Sequence, residues 1–110
     1  MKGIIMLREV DQTAYKNEIH GKEEKTYLLV FHALWCPPCR NFKHSLEELA
    51  EKNGVNVYRV NVDENLDLPS EYGVRNLPTW FIMNPDGTVA EKVVGYKPYE
   101  DLFQDLSKYL

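Results

Sequence analysis

The sequence predicts an α/β fold: a three-layer sandwich in which a mixed central sheet carries helices on both faces. Three observations lead there. Strand-like and helix-like segments alternate along the chain in the order β-α-β-α-β-α-β-β-α. Thr26 to Leu34 is nearly continuous apolar sequence, as a strand covered on both faces requires. Asn84-Pro85-Asp86-Gly87 is a turn sequence between two strand candidates, so the last pair is an antiparallel hairpin, whereas the earlier alternation implies right-handed crossovers and parallel pairing.

The elements follow in order. Ile4 to Leu7 is a short strand candidate. Asp11 can cap a helix running to about Ile19, with Tyr15 and Ile19 on its inner side. His20 to Lys25 is a polar connection into the central strand. A helix from Pro37 to Asn53 carries the apolar stripe Phe42, Leu46, Leu49 and Ala50, and Gly54 stops it. Val55 to Val62 is β-branched and strand-like. Leu68 to Tyr72 has room for one short helical piece, with Pro69 at its start and Gly73 after it. Thr79 to Met83 and Val89 to Val94 flank the hairpin turn. A last helix, Tyr99 to Leu110, is expected to bury Leu102, Phe103, Leu106 and Leu110.

A chain of 110 residues is one domain's worth, so residues 1–110 are read as a single unit. The apolar share of 44% and charged share of 27% are those of an ordinary globular protein. Net charge is −4 and no dense Lys/Arg block is present, which argues against a nucleic-acid or membrane-surface partner. The apolar run at the start is too short for a secretory leader, and the run ending at Leu34 is too short to cross a bilayer. The expected setting is the cytoplasm and the expected state a monomer.

The chain has two cysteines, three positions apart. So few thiols do not make a disulfide scaffold, so the pair reads as redox chemistry, half of a metal site, or chance. Cys36 falls where the central strand gives way to a helix. The first helical N–H groups there have no acceptor in the helix, and the dipole's positive end favours a thiolate. Pro37 and Pro38 suit the first turn, where a missing N–H costs nothing, and they stiffen the spacing. Cys39 lies on the same stripe as Phe42, Leu46 and Leu49 and is expected to point inward, leaving Cys36 as the exposed attacker. Cys36 would open a target disulfide, and Cys39 would resolve the mixed disulfide by attacking Cys36. A Cys2His2 zinc site with His32 and His44 is the competing reading. It is disfavoured because His32 falls inside an apolar strand and His44 more than a turn beyond Cys39. They read instead as a packed strand residue and a solvated helix residue, so no metal is expected. His20 lies in a polar loop and carries no signal.

At this point the sequence resembles the thioredoxin family, through Val30 to Arg40 with its Trp35-Cys36-Pro37-Pro38-Cys39 core, Val60 to Asn65, and Glu71 to Thr79 with its Leu77-Pro78-Thr79. The resemblance implies a protein-disulfide reductase with Cys36 as nucleophile and Cys39 as resolving thiol. It needs no cofactor beyond that redox-active disulfide. Partners would be disulfide-containing proteins and an electron donor of the thioredoxin-reductase type. It implies that Pro78 follows a cis bond, holding the backbone of Leu77 extended beside the sulfurs to pair with a substrate strand. Trp35, Leu77, Pro78, Val94 and Gly95 would then form the docking groove, with plain core packing the alternative for Leu77 and Val94.

The chain also departs from the family pattern. Both residues between the cysteines are proline. Val30 stands where the family has a buried aspartate, and Arg59 where it has that aspartate's lysine partner, a supporting position. The usual proton acceptor for the inner thiol is therefore missing, so either resolution is slower or a water or another carboxylate serves. His44 replaces a helix-kinking proline, and the final hairpin is one residue longer. The restricted loop and the lost carboxylate charge push the redox poise by opposing routes, which leaves an oxidant or isomerase as the alternative direction. An accessory subunit that uses only the fold is a further alternative.

Overall fold

The structure, a computed structural model, describes residues 7–110. In chain order the elements are β1 (Leu7–Glu9), α1 (Gln12–Ala14) continued by a π-helical turn (Tyr15–Ile19), β2 (Tyr27–His32), α2 (Pro37–Asn53), β3 (Val57–Asn61), α3 (Asp67–Glu71), β4 (Thr79–Met83), β5 (Val89–Val94) and α4 (Tyr99–Ser107). The sheet order is β1-β3-β2-β4-β5. β3 runs parallel to β1 and β2, and β4 runs antiparallel to β2 and β5.

All six residues of β2 are buried, which explains its unbroken apolar sequence. Alternation sends Leu28 and Val30 toward α2 and α4, where they meet Phe42, Leu46, Leu49, Leu102 and Leu106. Tyr27, Leu29 and Phe31 face the other layer, against Tyr15, Ile19 and Leu68. This is the three-layer arrangement expected, with β2 at its centre.

Local signals place most boundaries. Asp11 caps α1 by accepting the Ala14 N–H at 2.7 Å. Gly54 ends α2 in the left-handed region, at φ 67°, and its N–H reaches the Ala50 carbonyl. Pro69 is the third residue of α3, which begins one residue earlier than expected. The first-turn N–H groups have no helical acceptor, so proline is tolerated there.

Three expectations need correcting. β1 occupies Leu7–Glu9 rather than Ile4 to Leu7, and Ile4 to Met6 lie outside the described residues. The first helix widens at Tyr15, where the His20 N–H bonds the Tyr15 carbonyl, and Tyr15 and Ile19 both stay buried. The last helix stops at Ser107. The Tyr109 N–H closes a tight turn onto the Leu106 carbonyl, Tyr109 packs on the core, and Leu110 is left exposed.

Candidate active site

β2 delivers the chain to the site, and a four-residue connection follows before α2 begins. The Cys36 N–H bonds the Ala33 carbonyl at 3.3 Å, which closes this connection into a turn. Cys36 is the N-cap of α2, with extended backbone, and its Sγ accepts the Cys39 N–H at 3.3 Å. In the reduced state that N–H and the helix dipole favour negative charge on this sulfur. Pro37 and Pro38 occupy the first turn, as their lack of an N–H permits. Cys36 and Cys39 are joined in a disulfide across a Cα–Cα separation of 5.2 Å.

The expected contrast between an exposed and a shielded sulfur is corrected in one respect. Both cysteines are only 3% exposed. Ala33, Val62 and Leu77 pack against them; Leu77 stands beside the sulfurs as the resemblance implied, whereas Val62, just past the end of β3, was not among the expected site residues. The asymmetry survives as access. A cavity of about 520 Å³ is lined by Cys36 and not by Cys39.

Trp35, Pro37, Pro38 and Leu77 line that cavity with Cys36. The Leu77–Pro78 bond is cis, as the resemblance implied. Neither the N–H nor the carbonyl of Leu77 has a backbone partner among the described residues. Pro78, Val94 and Gly95 are not in the cavity wall. The Gly95 N–H bonds the Pro78 carbonyl at 2.8 Å, and Val94 pairs with Thr79; Pro78 is buried, whereas Val94 is about half-exposed.

Trp35 is 66% exposed, and its Nε1 donates to Asp63 Oδ2 at 2.8 Å. Asp63 was not singled out from the sequence, since it lies on a different loop. Val74, Arg75 and Asn76 also line the cavity without having been foreseen, although all three fall in the segment ending Leu77-Pro78-Thr79.

Arg59 is buried and away from the sulfurs. Its Nε lies 2.9 Å from Glu9 Oε2, at an angle too bent for a hydrogen bond, so that contact is ionic. Its Nη2 donates to His32 Nδ1 at 2.8 Å, and His32 Nε2 donates to Glu9 Oε1 at 3.0 Å. This network ties β1, β3 and β2 together. Burial raises the Glu9 carboxyl pKa, but the His32 hydrogen bond and the Arg59 charge outweigh it and hold the group below its ordinary value. Burial lowers the Arg59 pKa, against the pull of Glu9. Val30 lies in the apolar cluster under α2. His44 is solvated, as expected, and His32 is a packed strand residue engaged by Glu9 and Arg59. Among the described residues no three His, Cys, Asp or Glu side chains converge as a metal site would require.

The Thioredoxin family model matches residues 6–108. The chain is 35% identical over 107 residues to a thioredoxin of Listeria monocytogenes, covering 96% of this chain and 100% of that protein. It is 38% identical over 100 residues to a thioredoxin of Rhodospirillum rubrum, covering 89% and 94%. Among solved structures it is similar to chloroplastic thioredoxin z, with a TM-score of 0.83, 26% identity and 96% of each chain covered. A thioredoxin variant from Halobacterium salinarum superposes with a TM-score of 0.84 at 32% identity, covering 94% of this chain and 89% of that one.

Proposed function

This chain belongs to the thioredoxin family and is a thiol–disulfide oxidoreductase that reduces protein disulfides; on that premise we propose that Cys36 attacks, Cys39 resolves, and the cavity above Cys36 receives the substrate. The observation that carries this reading is the unequal access of the two sulfurs, with Cys36 in the cavity wall at the tip of α2 and Cys39 behind it.

The chemistry is a two-step exchange. The Cys36 thiolate attacks one sulfur of the substrate disulfide, forming a mixed disulfide and releasing the other substrate sulfur as a thiolate. Cys39, once deprotonated, attacks the Cys36 sulfur. That restores the Cys36–Cys39 bond and releases the second substrate thiolate. Two electrons pass from the dithiol to the substrate, and no cofactor is needed beyond the disulfide itself.

The unpartnered backbone of Leu77 offers an edge for an extended substrate segment. Trp35 lines the cavity, Pro78 braces the Leu77 backbone through its carbonyl bond to Gly95, and the half-exposed Val94 is available to a segment that extends past the cavity. Pro37 and Pro38 set the spacing, and Arg59 supports the sheet beneath. In this reading the chain works as one monomeric domain in the cytoplasm, recharged by a thioredoxin-reductase-type donor, with no nucleic-acid, membrane or metal partner.

Trapping tests the roles. Incubated with a disulfide-bonded protein such as insulin, Cys39→Ser should accumulate a mixed disulfide through Cys36, visible by non-reducing electrophoresis and mass spectrometry. Cys36→Ser should neither reduce the substrate nor trap it. The reverse pattern would exchange the two roles.

A further inference from the structure

The cavity over Cys36 is walled by aromatic, aliphatic and proline side chains, the amide of Asn76 and one charged group, Arg75. Arg75 is exposed and enters no ion pair among the described residues. Arg8, Lys22, Lys25, Arg40, Lys43 and Lys92 likewise hold no carboxylate among the described residues, but none of them lines this cavity. Arg75 is thus the one charged group in the wall that a substrate carboxylate would meet. The Asp63 carboxylate is engaged by Trp35 Nε1 at 2.8 Å and does not itself line the cavity.

We propose that Arg75 is a specificity-determining residue, which selects disulfide-bearing segments with an acidic side chain near the reacting cysteine. The proposal rests on Cys36 being the attacking sulfur and the cavity being the docking site. A bound segment covers the apolar walls and displaces water, and a charge pair gains strength in the drier environment. Guanidinium presents a planar fork of donors that fits a carboxylate, so the acidic side chain is bound with direction as well as charge. A lysine at the same substrate position meets like charge. The cavity wall holds no carboxylate to offset that repulsion, so the discrimination falls on one position of the segment rather than on its net charge.

The test uses peptides with one cysteine, joined by a disulfide to a common chromophoric thiol. Glu, Gln or Lys is placed in turn at each of the three positions on either side. Each rate of reduction is divided by the same peptide's rate with dithiothreitol, which removes the intrinsic effect of charge on the disulfide. For the unaltered protein, one position is expected to favour Glu over Lys by about three- to tenfold. That ratio should shrink as salt rises from about 0.05 to about 0.5 M. It should fall to near one in Arg75→Gln, persist in part in Arg75→Lys, and invert in Arg75→Glu. The same Glu-to-Lys ratio in the unaltered protein and in Arg75→Gln would overturn the proposal while leaving Cys36 and the cavity as described. If the unaltered protein reduces none of the peptides, including the neutral ones, the docking site itself is wrong and the proposal falls with it.

Discussion

Glu9, His32 and Arg59 form a polar network from three strands, β1, β2 and β3. Glu9 is the member with a pH signature. Its carboxyl is held below its ordinary value of 4.5 in the fold, so its contribution to stability is present above that value and is lost as pH falls through the folded-state value. Glu9→Gln should therefore lower the urea midpoint at pH 7, and the gap from the unaltered protein should narrow as pH is taken progressively below 4.5. A gap that stays constant across that range would assign the effect to packing rather than charge. The two-cysteine spacing, the capping prolines and Trp35 were all legible in the sequence because their signals are local. The burial of Cys36 was not, because Val62 packs on it from beyond β3, and placing Leu77 beside the sulfurs did not say how fully it covers them. Arg75 and Asp63 escaped because nothing in the spacing of an exposed charge says which part of the site it will meet.

Among the elements, α2, β4 and β5 occupy the ranges read from the sequence. Each is bounded by residues with a strong backbone preference: proline at the start of α2, glycine past its end, and a tight turn between β4 and β5. The elements that differ are set by tertiary contact. Tyr15 meets the Tyr27 hydroxyl at 2.8 Å from within the π-helical turn, and Tyr109 donates to Glu91 just beyond the end of α4. Neither partner is visible from within the helix it affects. The short first helix leans on its cap for the Ala14 N–H. Asp11→Ala should cost about 1 kcal/mol of stability, measured by chemical denaturation. An Asp11→Asn variant, which keeps an acceptor oxygen, should recover most of it.

For the molecule as a whole, β2 belongs to both cores at once. It pairs with β3 and β4 and packs against helices on each face, so it can open only when both layers do. Its amides should exchange with solvent only through global unfolding, whereas β1, an edge strand of three residues, should exchange by local fraying. Hydrogen exchange followed by mass spectrometry or NMR checks this ranking. Equal protection in β1 and β2 would contradict it. The sequence was enough to anticipate a mixed sheet and its hairpin. The lateral order of strands, with β3 between β1 and β2, depends on which crossovers pack, and only the assembled layers decide that.

The recessed position of Cys36 also sorts what can reach it. A disulfide recessed in a rigid surface cannot bring its sulfur down to a thiol that shows only 3% of itself. One carried on a protruding or loosened strand can. The recess should therefore favour disulfides on protruding or partly unfolded segments over those buried in a rigid surface, a preference that comparing the reduction rates of one substrate in its folded and loosened forms would check.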